Sequence, residues 1–267
     1  MNFQPHINTD YPPGNTLIFE EWFAQNLPET ERKFLPVFFT SFFVNNGYGK
    51  SYNANVRLRE FIESLDRTKK WYTVLQYDDG PVVDLSKLDI IVFGSGGGRI
   101  DAPIPLICQP HQDVPRGTRT VFASFVGNMT HKVRQQLMHF RTRAGFEIHR
   151  KTMPIKPYCE MMARSVFALC PRGYGATSFR ICEALQFGAI PVYISDQFIV
   201  PVGLNFEDYG VIVHINDVPR LEQILRSITP EEIAKKRQFG KLIYENFYTY
   251  EGCRSLIEAV LTGKQRV

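Results

Sequence analysis

Short apolar runs alternate with helix-like spacing along the second half of this sequence. The apolar runs have the length and residue types of buried strands, and they lie at residues 120–127, 146–149, 166–170, 190–195 and 210–215. Helical spacing fills three of the gaps, at 132–144, 158–164 and 178–187. Strand, helix and strand in this order form a βαβ unit, and such units build parallel sheets. The sequence therefore predicts an α/β fold.

The first half repeats this alternation in a shorter form. LPVFFTSFFV at 35–44 predicts a buried strand that enters a glycine-containing turn, 52–65 has helical spacing, and WYTVLQ at 71–76 and DIIVF at 89–93 predict two more strands. A proline-rich stretch at 103–118 interrupts the pattern, so we expect two α/β domains, 1–117 and 118–248. The helix predicted from 231 is interrupted at 249–252, and we expect residues 249–267 to cross back to the first domain.

The charge and the cysteines limit the classes of function. Basic residues number 31 and acidic residues 27, and the mild excess of +4 calls for neither nucleic acid nor a membrane surface as partner. The five cysteines form no CxxC pair and no zinc-like spacing with histidine, which favours a reduced compartment. The first residues lack the pattern of a signal peptide, and no apolar run of about 18 residues occurs. We therefore expect a soluble cytoplasmic protein without a membrane anchor.

The segment at 165–196 holds most of the candidate chemistry. A predicted strand, a glycine-bearing loop, a helix start and another strand follow each other directly. Gly173 and Gly175 free the loop backbone to approach a ligand, and Thr177 or Ser178 is placed to cap the next helix. Because the N–H groups at a helix start attract phosphate, this loop indicates a site for a phosphorylated ligand.

Arg180 and Glu183 lie three residues apart on the same predicted helix and therefore share a face. Such a face offers a cation to a diphosphate and a carboxylate to the hydroxyl groups of a ribose. The same spacing also fits a surface ion pair on an ordinary helix. The spacing alone leaves both interpretations open.

CPRGYGATSFRICEA at 170–184, followed by GAIPVYISD at 188–196, resembles the exostosin family of glycosyltransferases. The donor-binding half of that family carries CPRGxGxxSxRxxEA and then GxxPVxISD. The similarity continues upstream in RTVFASFVGNMTHKVRQQL at 119–137 and downstream through DVPRLEQIL at 217–225. It covers residues 118–248 well and the first half only loosely.

The resemblance implies a GT-B architecture, with two Rossmann-like domains facing a central cleft, and inverting transfer from a UDP-sugar to an oligosaccharide or glycoprotein acceptor. It implies donor contacts from residues in the two matched stretches: Gly127, Arg134, Arg172, Gly173, Thr177, Ser178, Arg180 and Glu183. For Arg172, pairing with a nearby carboxylate is an alternative to donor contact. Family members move glucuronic acid, galactose, arabinose or xylose, and the likeness to small, anchorless members favours xylose. No D-x-D triplet occurs, so neither a metal nor another cofactor is expected.

Inverting transfer needs a base that removes the proton of the acceptor hydroxyl, a contribution of about 100-fold to 10,000-fold. Exostosin-like proteins often carry HDxG or DHG after a strand of the first half, and Tyr77-Asp78-Asp79-Gly80 occupies the corresponding place. The resemblance therefore selects Asp78, with Asp79 second, although the histidine is missing and an acidic turn before glycine is also an ordinary tight turn. His111 is the alternative base, and a solvated loop side chain is the other interpretation of it.

Three further expectations concern the acceptor, a glycine run and a rival function. Tyr48 and Asp113 are candidates for acceptor binding, because aromatic faces stack on sugar rings and polar groups bond to hydroxyls. GSGGG at 94–98 imitates a dinucleotide fingerprint, but prolines follow where that motif needs a helix, so we expect a flexible cleft loop. The altered acidic motif leaves a rival function open, a non-catalytic protein that binds carbohydrate or nucleotide sugar.

Overall fold

The computed structural model describes residues 18–48, 50–112 and 117–266 and divides the chain into two compact units. The first unit takes the described residues up to Cys108, the short segment Ile199–Gly203, and the residues from Tyr250 onward. The second unit takes the described residues of Gln109–Phe198 and Leu204–Thr249. Gln109–Gln112, which we expected in the first domain, therefore belong to the second unit.

The first unit is a four-stranded parallel sheet with helices. Its elements in chain order are α1 (Phe19–Gln25), β1 (Lys33–Phe34), α2 (Phe39–Asn45), α3 (Tyr52–Glu63), β2 (Lys70–Leu75), β3 (Asp89–Gly94) and β4 (Ala102–Pro103). The strands lie in the order β1-β2-β3-β4, and the register places Trp71 opposite Ile90. The predicted strands at 71–76 and 89–93 are confirmed as β2 and β3, and the helix predicted at 52–65 as α3.

The second unit is a five-stranded parallel sheet. Its elements are β5 (Val121–Val126), α4 (Lys132–Gln136), β6 (Phe146–His149), α5 (Ile155–Arg164), β7 (Ser165–Pro171), α6 (Arg180–Gln186), β8 (Ile190–Ser195), β9 (Val211–His214), α7 (Leu221–Arg226) and α8 (Pro230–Phe247). Short 3-10 helices occur at Leu137–Phe140, Phe206–Asp208 and Ile215–Arg220. The strands lie in the order β6-β5-β7-β8-β9, and α9 (Tyr250–Leu261) then returns to the first unit. The predicted α/β class, with one parallel sheet in each half, is confirmed.

The strand predicted at 35–44 is wrong. Only Lys33–Phe34 forms a strand there, and the apolar run that follows folds into α2. The rings of Phe39 and Phe43, one helical turn apart, lie 6.1 Å from each other, and Phe43 packs on Tyr77 at 4.9 Å. A helix buried on most sides needs apolar residues all round, so its sequence looks like that of a buried strand.

The helix predicted at 132–144 is also shorter than expected. Regular helix ends with α4 at Gln136, and a 3-10 helix continues only to Phe140. The chain then turns at Gly145, whose φ of 85° is accessible to glycine at little cost, and enters β6. None of the helices in the described part of the chain is both long and apolar enough to span a membrane.

Arg119 ties together the ends of two helices beside the second sheet. Its guanidinium donates to the carbonyls of Met162 (3.2 Å) and Ser165 (2.8 Å) at the end of α5, and to that of Phe187 (2.6 Å) at the end of α6. The last carbonyls of a helix lack partners within it, and a cation there also complements the helix dipole. Arg119 therefore anchors α6, the helix that carries Arg180 and Glu183.

Glu20 is a buried carboxyl group in the first unit, with 1% of its surface exposed. One carboxyl oxygen accepts from the backbone N–H of Thr40 (3.2 Å) and the other from that of Gln76 (2.8 Å), and the Thr40 hydroxyl also bonds to the group. Burial raises the pKa of Glu20 to about 7, and these hydrogen bonds offset only part of that effect. The carboxyl therefore titrates near neutral pH at the end of β2.

We expect Glu20 to lower the free energy of unfolding as pH rises. Between the ordinary pKa of 4.5 and about 7, the folded chain binds more protons than the unfolded chain, so stability falls across that window and levels off above it. From about pH 5 to about pH 8 this loss is about 2 to 3 kcal/mol. Urea unfolding at both pH values should show the loss in the wild type but not in Glu20→Gln. Glu29→Gln, at an exposed position, is the control, and an unchanged pH dependence in Glu20→Gln would contradict the assignment.

Candidate functional site

The candidate site lies where the strand order of the second sheet reverses. β6 lies on one side of β5 while β7, β8 and β9 lie on the other, so the connections after β5 and β7 leave in opposite directions. Such a switch point opens a crevice at the carboxyl ends of the two strands, where open α/β sheets bind their ligands. All of the predicted donor contacts follow these two strands: Gly127, Arg134, Arg172, Gly173, Thr177, Ser178, Arg180 and Glu183.

Arg134 and Arg180 converge on one aromatic ring at this point. The guanidinium carbons of Arg180 and Arg134 lie 4.9 Å and 6.0 Å from the centroid of Phe125, the penultimate residue of β5. Arg134 donates to the carbonyls of Asn128 (3.0 Å), Pro171 (3.3 Å) and Arg172 (2.9 Å). Arg180 donates to the carbonyl of Val126. The two side chains are thus held by neutral carbonyl oxygens.

This pair of guanidinium groups forms a positive site. Within the described residues, neither Arg134 nor Arg180 forms an ion pair with a carboxylate, and Nε of Arg180 is buried without a hydrogen-bond partner. Burial, and next the charge of Arg180, lower the pKa of Arg134 to about 10, so it stays charged at neutral pH. Both arginine side chains are partly exposed, so an anion with several oxygens could accept charge-assisted hydrogen bonds from their remaining N–H groups.

Glycine leaves room for these two arginines. A methyl group at Gly173 would lie 2.8 Å from Nη2 of Arg134, and one at Gly127 would lie 3.1 Å from Nη2 of Arg180. From the sequence, we expected Gly173 to let the backbone approach a ligand closely. In the structure, the space beside both glycines holds a guanidinium group instead.

Arg172 pairs with Asp196 and donates to the carbonyl of Tyr174 at 3.1 Å. The hydrogen bond from Arg172 is the largest of the effects that hold the pKa of Asp196 below its ordinary value. Of the two interpretations of Arg172, the structure shows the carboxylate pair. Arg172 still borders the positive site, because its carbonyl accepts from Arg134.

Thr177 and Ser178 were both candidates to cap α6. The N-cap position of the regular helix is Phe179, and the Ser178 hydroxyl accepts a long hydrogen bond of 3.4 Å from the N–H of Arg180. The chain is already turning here, because the carbonyl of Ser178 accepts from the N–H of Ile181 at 3.0 Å. Thr177 and Ser178 are both buried.

Glu183 is held by two side chains that the motif does not contain. One carboxylate oxygen lies 3.1 Å from Nε2 of His111, and the other accepts from the Tyr158 hydroxyl at 2.7 Å. Burial acts to raise the pKa of Glu183, but the hydrogen bond from His111 and the charge of Arg180 together hold it below its ordinary value. Glu183 is therefore ionised at neutral pH, with 19% of its side chain exposed.

His111 is not a solvated loop side chain. Only 17% of it is exposed, its Nδ1 lies 3.6 Å from Sγ of Cys159, and its backbone N–H and carbonyl both bond to the amide of Gln186. Tyr158, Cys159 and Gln186 were missed by the sequence analysis. No spacing pattern connects α5 and α6 to residue 111, since only folding brings these segments together.

The acidic pair lies in the first unit, in the turn that follows β2. Asp78 is half-buried and Asp79 is exposed. The glycine run at 94–98 packs directly on this turn, because the N–H of Gly97 donates to the carbonyl of Asp78 at 2.6 Å. A methyl group at Gly98 would lie 2.2 Å from the carbonyl oxygen of Asp79. The run that we expected to form a flexible cleft loop thus supports the acidic turn.

The two candidates for acceptor binding differ in what the structure describes. Tyr48 follows α2 with its side chain 68% exposed, and its φ of 57° is unusual for a residue other than glycine. Asp113 lies outside the described residues. Within the described ranges, no group of three or more His, Cys, Asp or Glu side chains is placed to hold a metal ion.

Comparison with known proteins adds a family to this geometry. The model of the exostosin GT47 domain matches residues 91–228, more than half of the 267-residue chain. The chain is 46% identical over 83 residues to a probable beta-1,4-xylosyltransferase of Arabidopsis thaliana. The matched region covers 30% of this chain and 20% of that protein. It is also 45% identical over 83 residues to a probable glucuronosyltransferase of Oryza sativa subsp. japonica. That matched region covers 30% of this chain and 19% of the relative.

The matches thus extend over about a fifth of each relative's length. Among solved structures, that of TarM has a TM-score of 0.47 at 9% identity, and covers 78% of this chain and 53% of TarM. The region matched by the family model includes His111, the paired arginines and Glu183. On the extent of that match, the chain belongs to the exostosin GT47 family.

Proposed function

We propose that this chain is a glycosyltransferase domain that moves a sugar from a UDP-sugar to a carbohydrate acceptor, with inversion and without a metal ion. The observation that carries the proposal is the pair Arg134 and Arg180, two charged guanidinium groups on Phe125 at the switch point of the second sheet.

A diphosphate suits this pair because it brings two negatively charged groups to two cations that lack a carboxylate partner among the described residues. As the bond between the anomeric carbon of the sugar and UDP breaks, negative charge grows on the departing UDP. Fixed guanidinium groups stabilise that charge without rearranging, which is the usual source of large rate effects in transfer reactions. In metal-dependent enzymes a divalent ion supplies this stabilisation, and we propose that the arginines supply it here.

Glu183 suits the ribose of the donor. Each of its two oxygens accepts one hydrogen bond from the protein, and a carboxylate oxygen has room for about two. The remaining capacity can accept hydroxyl groups, and the side chain is partly exposed. Arg180 would therefore bind the diphosphate of the donor, and Glu183 would bind its ribose.

We assign the base to Asp78, with Asp79 second. Its carboxylate would take the proton of an acceptor hydroxyl while the hydroxyl oxygen bonds to the anomeric carbon and the bond to UDP breaks. The backbone contact with Gly97 and the close fit of Gly98 would hold the turn that presents it. Tyr48, exposed on the first unit, would contact the acceptor.

The transferred sugar is proposed from the relatives. Their names state xylosyl transfer in one case and glucuronosyl transfer in the other. The two sugars differ by the carboxylate that glucuronic acid carries at C6. We propose xylose, and glucuronic acid is the alternative.

A screen of the purified chain against UDP-sugars tests this function. UDP-xylose, UDP-glucuronic acid, UDP-galactose, UDP-arabinose and UDP-glucose would be offered with oligosaccharide acceptors, with and without EDTA, and released UDP would be measured. We expect release from one donor and no effect of EDTA. Binding of UDP without turnover across the panel would favour a non-catalytic protein that binds nucleotide sugar, and absence of UDP binding would reject the transferase and leave only a protein that binds carbohydrate.

A further inference from the structure

Glu183 is reached by side chains from two segments that lie outside the family motif. His111 approaches from the start of the second unit and Tyr158 from α5, one to each carboxylate oxygen. We infer that His111 and Tyr158 are positioning residues, which aim the Glu183 carboxylate at the donor ribose. This inference rests on the proposed function and assigns His111 a role other than that of a base.

His111 is held through both its backbone and its ring. The Gln186 amide accepts from its backbone N–H (3.0 Å) and donates to its carbonyl (2.9 Å), which clamps the loop to α6. The imidazole ring lies 5.8 Å from the ring of Tyr158 and 5.4 Å from that of Phe187. A group held in this way loses little freedom when a ligand binds, as a supporting residue should.

The ring nitrogens of His111 are both in use. Nε2 lies 3.1 Å from Glu183, and Nδ1 lies 3.6 Å from the thiol of Cys159. If the thiol donates to Nδ1, the ring proton is on Nε2 and is donated to the carboxylate. A general base instead needs an unprotonated nitrogen directed at the substrate. The contacts of His111 therefore suit an orienting role.

Tyr158 completes the arrangement from the other side of the carboxylate. Its hydroxyl donates to Glu183 at 2.7 Å, a length typical of a strong bond to a charged acceptor. With one donor on each oxygen, the plane of the carboxylate is set by the protein before the donor arrives. Arg180 is on the same helix, so the ribose and the diphosphate would be placed in one frame.

The test compares UDP with 2′-deoxy-UDP by calorimetric titration of the purified chain. If Glu183 accepts from the ribose 2′-hydroxyl, the wild type should bind UDP roughly tenfold or more tightly than the deoxy compound, as expected for one bond to a charged group. His111→Phe keeps a ring between Tyr158 and Phe187 but removes the N–H donor. This variant should bind both nucleotides about equally, with affinity for the deoxy compound changed by less than about threefold.

His111→Gln and Tyr158→Phe complete the design. Glutamine can donate from nearly the same place as Nε2, so His111→Gln should restore the preference for UDP. Tyr158→Phe removes a single oxygen atom, so it should fold even where His111→Phe does not, and it should also lose the preference. Tyr209→Phe removes a buried hydroxyl that contacts Tyr248 elsewhere in the same unit, and should keep it. His139→Gln, at an exposed site, is the second control.

The outcomes separate the two ideas. A wild type that fails to bind UDP would overturn the proposed function, and this inference with it. A wild type that prefers UDP, with the same preference in His111→Phe and Tyr158→Phe, would overturn the inference and leave the proposed function intact. A preference lost in both variants and restored in His111→Gln would support it.

Discussion

Arg180→Ala should lower the affinity of the chain for UDP by about 100-fold, which corresponds to a free-energy loss of about 3 kcal/mol. The substitution removes a charged group that lies on the Phe125 ring and whose Nε is buried without a partner. A diphosphate would accept charge-assisted hydrogen bonds from that group, and such bonds are roughly twice as strong as those between neutral groups. Titration calorimetry with UDP, at fixed ionic strength, measures the change.

The chain contains a matched control for this substitution. Arg226 also lies over a phenylalanine of β5, with its guanidinium carbon 4.5 Å from the ring of Phe122, but it is paired with Glu222. Arg226→Ala therefore removes an arginine stacked on the same strand and should leave UDP affinity unchanged. Arg180→Lys keeps the charge without the planar fork and should fall between the wild type and Arg180→Ala. Equal affinities in Arg180→Ala and Arg226→Ala would place the diphosphate elsewhere.

Asp78→Asn should reduce transfer by about 100-fold to 10,000-fold while UDP affinity stays within about twofold of the wild type. An amide of the same shape fills the turn but cannot take a proton. The support of the turn by Gly97 and Gly98 acts on backbone atoms, so it should survive the substitution. Rates of transfer at saturating donor and acceptor, measured alongside UDP binding, separate lost chemistry from lost binding.

Asp79→Asn is the matched control, one residue along the same turn and more exposed. We expect it to retain most of the transfer activity. Loss in Asp79→Asn alone would move the base by one residue, and activity retained in both variants would remove the acidic turn from the mechanism. Since His111 holds Glu183, His111→Phe should change donor discrimination more than the rate at saturation, which distinguishes it from a base.

The periodicity of the sequence was enough to predict the class of fold. Alternating strand and helix patterns predicted parallel sheets, and the strands from 120 onward lie where these patterns placed them. The failure at 35–44 has a specific cause. A short helix enclosed on most sides and a buried strand both need a continuous apolar run, and which forms depends on what packs against it. Here the partner of Phe43 is Tyr77, more than thirty residues away in the sequence.

The glycines likewise show what the sequence can predict and what only the structure reveals. Those in the loop after β7 indicated a close approach of the backbone to a ligand, whereas the run at 94–98 was expected to form a flexible loop. Only the structure identifies the neighbours as the guanidinium group of Arg134 beside Gly173 and the carbonyl of Asp79 beside Gly98. A glycine shows that space is needed at a position, but not what will occupy that space.

The sequence by itself determined the α/β class, the family resemblance, and the loop and helix that carry Arg180 and Glu183, because these depend on neighbouring residues. The tertiary structure alone decided which side chains surround them. Arg134 meets Arg180 only because β5 and β7 are adjacent in the sheet, and His111 meets Glu183 although they are 72 positions apart. Contacts of this kind follow from how strands are ordered and helices packed, and no local pattern along the chain records them.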